Sequence, residues 1–422
     1  MKLYKHQEKA LEQTAGFRNI AFFHDMGLGK TYTGSEAMIR FNKRINLIVC
    51  QKSKVKDWMD HLGLYGVRTF DLTVPKQFRT FMGLAMGDRF AVYGVINYEL
   101  AWRRKDLLNL QDFVLMLDES SLIQNPKAKQ TKFIMMMRPS HVILLSGSPV
   151  GGKYENLWTQ GRLLGWNITE TAFDKMYVNR INLDVGGFIH KIVDKNNPYK
   201  NVDRLKRKFA EHGAVFLKTE EVIDLPDQIF QQIHVPVTKE YKTFRKNRMV
   251  TVDGAELIGD TSLTALLYSR QLCGQYNKDK LGAFRDLLQS TNDRLVVFYN
   301  FDAELTQLRS VCIDQERPVS EINGHHKDLT AYEMEPNSVV LCQYQSGSMG
   351  LNLQESNRIV YFTLPLSSEH FEQSKKRIHR IGQKQTCFYY LLICQGSVEE
   401  QILQTLEQRK DYTDALFEEY NP

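Results

Sequence analysis

The segment HDMGLGKT at 24–31 sets two residues without side chains, Gly27 and Gly29, just ahead of a lysine and a hydroxyl, Lys30 and Thr31. Bare backbone can wrap closely enough to aim its N–H groups at phosphate oxygens, and a helix starting there presents its N-terminus to the same anion. Lys30 would then reach the β and γ phosphates and Thr31 would ligate Mg²⁺, so ATP and Mg²⁺ are the expected cofactors. Two further segments offer matching chemistry. LDESS at 117–121 supplies Asp118, suited to holding Mg²⁺ through water, and Glu119, suited to polarising an attacking water. Far along the chain, SGSMGLNLQ at 346–354 precedes QSKKRIHRIGQ at 373–383, which carries Arg377 and Arg380. A phosphate loop alone would mean nucleotide binding. A loop, an acidic pair and a distant double-arginine motif are the parts of an ATP site split between two lobes, the arrangement of a motor. Each segment alone has a plainer meaning: a tight turn before an exposed lysine, a solvated acidic turn, or a basic helix face made of Lys375, Lys376, Arg377 and Arg380. Their combination argues against all three.

These side chains need rigid carriers. The apolar run Ile20 to Phe23 leads into the glycine loop as a strand would, and Thr33 to Ile39 can continue as a helix. Phe113 to Leu117 reads as a buried parallel strand, with Asp118 and Glu119 at its carboxyl end, where open α/β sheets place their ligands. Further strands are expected near 45–50 and 141–145, and in the second half near 294–299, 338–343, 358–363 and 386–393, with helices between them. The expected fold class is α/β: two parallel-sheet lobes, 1–222 and 223–422, with the ATP site in the cleft between them and a helical middle segment. Over about 150–280 sheet signals thin out, and DVGG at 184–187, KNNP at 195–198 and DLPD at 224–227 read as loop or hinge punctuation. There is no internal repeat and no low-complexity segment.

The motifs also occur in a telling order. LYKHQ with Gln7, GLGKT, IVCQKS leading to Trp58, INYE at 96–99, DESSLIQN at 118–125 and LLSGSP at 144–149 fall as the motifs of superfamily 2 helicases do, and VVFYNF at 296–301, GLNLQ and QSKKRIHRIGQ complete the set. The closing HRIGQ, with FLKTEEVIDLP at 216–226, resembles the SWI/SNF-type branch of DNA-dependent ATPases, over nearly the whole chain. Compact relatives of this kind occur in bacteriophages and bacteria, where they remodel DNA rather than chromatin. The resemblance implies two RecA-like lobes. It assigns Gln7 to the adenine edge, with Tyr4 as a ring contact, and Gly350 to the backbone lining the nucleotide cleft from the second lobe. Arg377 and Arg380 match the arginines that reach the γ-phosphate and neutralise charge developing during transfer. Within the remaining motifs Lys52, Ser53, Asn97, Tyr98, Ser148, Asn300 and Ser346 are the candidate DNA contacts. The chain departs from the family at His24, usually acidic, at Ser121, usually His, and at Ser348, usually Gly. These changes bear on how tightly hydrolysis is coupled to DNA.

Composition agrees. With 422 residues, 42% hydrophobic and 25% charged, the chain can bury two or three full cores. No uncharged apolar run is long enough to span a membrane and the start lacks a signal-peptide stretch, so a cytoplasmic place is expected, the host's if the chain is phage-encoded. The six cysteines show no C-x-x-C pair and read as reduced core residues. The net charge of +6 would not by itself identify a nucleic-acid binder. Its clusters, Lys52, Lys54 and Lys56, then Lys127, Lys129 and Lys132, then Arg204 to Lys208, suit sequence-independent phosphate contacts, and equally suit solvated helix faces. The expected partner is DNA, forked, branched or duplex, handled by a monomer, with replication or recombination proteins as candidate protein partners. Two classes stay open: an ATP-driven DNA translocase or helicase, and a DNA-binding relative that has lost turnover. Lys30, Asp118, Glu119, Arg377 and Arg380 together favour the enzyme. RNA is a third substrate, disfavoured by HRIGQ and FLKTEEVIDLP.

Overall fold

Apolar runs bounded by turn residues form the central strands of two sheets in a computed structural model describing residues 3–87, 90–150, 153–185, 188–194, 196–344 and 351–417. The chain divides into two compact units, one built on Met1–Val222 with Asp411–Pro422 and one on Ile223–Lys410.

In the first unit β1 (Asn19–His24), β2 (Ile45–Cys50), β3 (Thr69–Asp71), β4 (Val92–Asn97), β5 (Phe113–Asp118) and β6 (His141–Leu145) precede a hairpin, β7 (Arg180–Val185) and β8 (Phe188–Val193), and a last strand, β9 (Ala214–Leu217). The sheet runs β3-β4-β2-β5-β6-β1-β9 and is parallel throughout. Both of its faces are covered: Ala21, Leu47, Leu115 and Leu144 pack on one side, Phe22, Ile48, Met116 and Ile143 on the other. A strand buried on both faces carries no polar alternation, which is why these segments read as continuous apolar runs. Gly94 interrupts β4 for a packing reason, since a Cβ there would lie 2.7 Å from Leu72 Cδ1 and 2.9 Å from Phe81 Cε2.

The second unit begins with β10 (Gln228–Val235) and a hairpin of β11 (Met249–Val252) and β12 (Ala255–Ile258). It continues through β13 (Leu295–Tyr299), β14 (Val319–Ile322), β15 (Lys327–Asp328), β16 (Val339–Gln343), β17 (Arg358–Tyr361) and β18 (Cys387–Cys394). The order is β10-β18-β17-β13-β16-β14-β15, parallel except for the β14–β15 pair. Thus β10, the first strand of the unit, pairs along its whole length with β18, the last. Behind β18 the buried Lys280 Nζ lies 2.6 and 2.7 Å from the Glu399 oxygens, and Glu399 Oε2 accepts from the Cys394 N–H at 2.9 Å. Removing either partner would strand a buried charge, at a cost of roughly 3–5 kcal/mol.

The α/β architecture with two parallel sheets is the expected one. The region around 150–280 carries helices, Glu170–Tyr177, Val202–Glu211, Lys239–Asn247 and Ser262–Cys273, and adds both hairpins, β9 and β10, which the sequence reading did not resolve. Mixed sequences such as QIFQQIHV in β10, an edge strand exposed over most of its length, lack the apolar continuity of a central strand. The DVGG punctuation falls at the β7–β8 turn, where Gly186 and Gly187 lie outside the described residues. All six cysteines are buried and free, and no helix among the described residues is long and apolar enough to cross a membrane.

Candidate functional site

Parallel pairing puts the carboxyl ends of the neighbours β5, β6 and β1 on one edge of the first sheet. Leu145 is in register with both Phe22 and Asp118, so the glycine loop, the Asp118–Glu119 pair and the Ser146–Ser148 segment emerge side by side. The loop after β1 turns through Gly27 at φ +86° and Gly29 at φ +71°, left-handed backbone that side chains rarely tolerate. Gly29 caps the helix Lys30–Arg40, and a Cβ on it would lie 2.5 Å from Gln7 Nε2. Lys30, in the first turn, folds back over the loop, its Nζ donating to His24 O at 2.9 Å and Asp25 O at 3.3 Å. Both acceptors are neutral carbonyls, weaker partners than a phosphate oxygen. A Cβ on Gly147 would lie 3.1 Å from the same Nζ, so the segment after β6 closes on the lysine. Thr31 is half-buried beside it.

Gln7 is buried; its Nε2 donates to Gly29 O at 3.1 Å and its Oε1 accepts from the Tyr4 N–H at 2.9 Å. The amide assigned to adenine therefore holds the helix Lys5–Gln13 to the loop, while Tyr4 is exposed and stacks on His6. His24 is fully buried, and neither ring nitrogen is hydrogen-bonded among the described residues. Burial, and then the Lys30 charge, push its pKa down to about 3, so the ring is neutral at physiological pH and does not replace the charge of the acidic residue usual in the resembling family. Asp25 Oδ2 accepts from Thr219 Oγ1 at 2.9 Å, and the Asp25 N–H donates to Leu217 O at 2.8 Å, which ties FLKTEE to the loop.

At the end of β5, Asp118 Oδ2 accepts the Trp58 indole N–H at 2.7 Å, and the Tyr98 hydroxyl donates to Asp118 O at 2.9 Å. Burial pushes the Asp118 carboxyl above its ordinary range, opposed by the Trp58 hydrogen bond and by the charges of Lys30 and Lys54. Glu119 takes left-handed backbone, φ +53° and ψ +61°, a strain that a non-glycine residue carries only where its surroundings impose it. Ser120 Oγ donates to Gln160 Oε1 at 2.8 Å and Gln160 Nε2 donates to Pro149 O at 2.7 Å, so one buried amide bridges the acidic turn and the SGSP segment.

Of the candidate DNA contacts in this unit, Lys52 and Ser53 are exposed in the single turn Lys52–Lys54 after β2. Asn97, Tyr98 and Ser148 are buried; Asn97 Nδ2 donates to Glu99 Oε2 at 2.6 Å, and the Ser148 N–H donates to Ser146 Oγ at 3.2 Å. Ser346 and Gly350 lie outside the described residues.

In the second unit the Arg377 and Arg380 guanidiniums converge on one carbonyl, that of Leu351, at 3.3 and 3.4 Å. Arg377 is buried, and burial lowers the Arg380 pKa from its ordinary value. Two cations sharing one neutral acceptor form a natural anion site. The rest of the motif is scaffolding. His379 Nε2 bonds to Pro226 O at 2.8 Å, linking HRIGQ to the DLP of the second family signature. Gln383 Nε2 donates to Gln354 O and Ser356 O, both at 3.0 Å. Lys375 is buried against Glu372 and the Phe371 ring, so this run is not a solvated basic face.

Asn300 is engaged internally, its Nδ2 donating to Thr363 Oγ1 at 2.9 Å and Leu364 O at 3.1 Å. The backbone N–H groups of Asn300 and Phe301 and the Thr363 hydroxyl all donate to Glu304 Oε2. Burial nevertheless pushes the Glu304 carboxyl up to about 7, against 4.5 for an exposed group. The folded state therefore holds more protons than the unfolded one between those values, so this group's contribution to stability is present at low pH and is lost as pH rises through the window. Glu304→Gln, which removes the titration, is expected to unfold near the wild-type midpoint at about pH 5. At about pH 8 it should gain on the order of 2–3 kcal/mol relative to wild type, at 1.4 kcal/mol per pKa unit. Denaturant titrations at the two pH values check this; equal differences at both would show that Glu304 ionises normally.

Trp58, Gln160 and Glu304 position the motifs, yet the sequence offers only their place in the order; their partners lie 60, 40 and 59 residues away. A basic surface on the helix Lys239–Asn247, with Lys242, Arg245 and Lys246 lining a cavity of about 750 Å³, was legible as the run KEYKTFRKN but not singled out.

Comparison with known proteins completes the site. The SNF2-related domain family matches residues 6–278, and the helicase conserved C-terminal domain matches residues 279–382. Among relatives, the chain is 24% identical to the TATA-binding protein-associated factor mot1 of Aspergillus fumigatus, over 94% of this chain and 26% of that protein. It is 21% identical to the putative ATP-dependent helicase/translocase YwqA of Bacillus subtilis, over 94% of this chain and 46% of that protein. It is 23% identical to the DNA annealing helicase and endonuclease ZRANB3 of Mus musculus, over 92% of this chain and 38% of that protein. The chain thus spans less than half the length of each of these relatives.

Proposed function

The chain belongs to the SNF2-related family and carries the helicase conserved C-terminal domain, and on that premise we propose that it is an ATP-driven DNA translocase that remodels forked or branched DNA. The observation that carries the reading is the gathering of Lys30, Asp118 and Glu119 on one sheet edge around a left-handed glycine loop. The residues fit the implied cofactors: the lysine is held only by neutral carbonyls, the loop has no room for a side chain at Gly29, and Thr31 and Asp118 offer the oxygens a hard divalent cation takes. Bound ATP with Mg²⁺ supplies the phosphoanhydride whose hydrolysis drives the motion. The loop N–H groups and Lys30 bind the β and γ phosphates, and Thr31 and Asp118 hold the metal. Glu119 orients a water and takes its proton. Arg377 and Arg380 turn from the Leu351 carbonyl to the γ-phosphate, making hydrolysis depend on the second unit. Gln7 reads the base while keeping the loop in register.

DNA as substrate is supported by the family and by the names of relatives that are helicases or translocases; ZRANB3, named as an annealing helicase, supports branched structures in particular. Binding should be sequence-tolerant and fall steeply with salt. The test incubates labelled forks and four-way junctions with protein, ATP and Mg²⁺, alongside a poorly hydrolysed analogue and RNA versions. ATP-dependent rearrangement of DNA junctions is expected. Equal activity on RNA would overturn DNA specificity, and DNA-stimulated hydrolysis without rearrangement would reduce the protein to a duplex translocase.

A further inference from the structure

The hairpin β7–β8 gathers large apolar side chains at the surface: Ile181 is 44% exposed, Leu183 45%, Phe188 74% and Ile189 71%. Its strands pair only with each other. Register puts Ile181 opposite Ile192 and Leu183 opposite His190, and Phe188 follows on the same face by alternation. The other face carries Arg180, Asn182 and Lys191, which line a cleft of about 680 Å³ together with Lys175 and Lys200. The base, by contrast, is fixed. Val178 bridges to Tyr199, the Asn179 N–H donates to Pro198 O at 2.8 Å, the Lys200 N–H donates to Tyr177 O at 3.1 Å, and the Tyr199 ring stacks on buried Tyr154 at 4.5 Å. The result is a rigidly rooted finger, apolar on one face and lined with cations on the other.

An isolated two-stranded hairpin gains little stability from its own pairing, so an uncovered apolar face on one calls for an occupant. Another protein surface or a second copy would match the apolar face but leave the lysine-lined cleft unused. A DNA fork presents both chemistries at once: the flat face of the last base pair, able to stack on Phe188, and a diverging phosphate backbone for Lys191 and its neighbours. We propose that β7–β8 is a strand-separating wedge whose apolar face meets the terminal base pair of a DNA fork while its basic face receives the displaced strand. A duplex driven against the finger cannot pass it intact, because a hairpin is one strand spacing, about 5 Å, wide and rooted in the lobe. The inference rests on the translocase reading above and names the element that would convert translocation into strand separation.

The test uses the full chain with Phe188→Ala and Ile189→Ala combined; both side chains are exposed, so the fold should be kept, which circular dichroism and thermal unfolding verify. Strand displacement from a labelled fork and ATP hydrolysis stimulated by blunt duplex are measured in parallel. Displacement per ATP hydrolysed should fall by about tenfold, the loss typical of a base-stacking contact, with duplex-stimulated hydrolysis unchanged. Lys191→Ala should weaken fork binding and flatten its salt dependence. Wild-type displacement by the double variant overturns the wedge, as does a parallel loss of duplex-stimulated hydrolysis, which would assign the finger to duplex engagement. A wild-type protein that self-associates and a double variant that does not would make a second copy the occupant and also overturn it. Hydrolysis on DNA without any displacement by wild type removes the wedge and leaves the translocase, whereas no DNA-stimulated hydrolysis removes both.

Discussion

Lys30→Ala is expected to abolish DNA-stimulated ATP hydrolysis in a protein that remains folded, and Glu119→Gln is expected to do the same while still binding ATP. Lys30 bonds only to carbonyls of its own loop, so its loss leaves the glycine turn and the helix cap in place and removes the cation that faces the β and γ phosphates. Glu119→Gln keeps the side-chain shape at a position whose left-handed backbone is imposed by the end of β5, and deletes only the capacity to take a proton. General-base loss typically costs 10²–10⁴-fold, so turnover should drop by about that factor. Steady-state hydrolysis with and without DNA, and nucleotide binding by a fluorescent analogue, separate the two variants. Near-normal turnover in either would remove the residue from the site.

Arg380→Ala should reduce hydrolysis on the order of 10³-fold or more, the scale of an arginine finger, with a much smaller loss of ATP affinity. The structure gives the reason for the asymmetry. Arg380 is held by one long bond to Leu351 O, which Arg377 also uses, so its removal disturbs little of the second unit, and neither arginine belongs to the loop that binds the nucleotide. Single-turnover hydrolysis beside equilibrium ATP binding tests this. Collapsed binding with a normal rate per bound ATP would reassign Arg380 to ground-state binding.

How much of this was legible depended on where each residue's partners lie. Phe113 to Leu117 could be read as a central strand because burial on both faces leaves an unbroken apolar run, and the same holds for Leu295 to Tyr299. Gly27, Gly29 and Lys30 could be read because their chemistry is contained in a few consecutive residues. β10 and the β7–β8 hairpin could not, because an edge strand and a free-standing hairpin both expose most of their side chains and show mixed polarity. Tyr98 illustrates the other limit: its motif made it a candidate DNA contact, but that its hydroxyl serves the Asp118 carbonyl depends on β4 and β5 ending on the same sheet edge. The convergence of Arg377 and Arg380 on Leu351 is likewise a product of folding, with acceptor and donors 26 and 29 residues apart.

The pairing of β10 with β18 also sets a timetable for biosynthesis. The first unit's sheet is complete once β9 has left the ribosome, so its core can consolidate while the rest of the chain is still being made. The second cannot close: β10 waits for a partner encoded some 150 residues later, and until then Ile229 and Phe230 stand on an unpaired strand edge. A nascent chain arrested before Cys387 would therefore hold one finished lobe and one open, adhesive sheet. Slow or interrupted translation of the last tenth of the chain is where this protein is most exposed to aggregation and to chaperones.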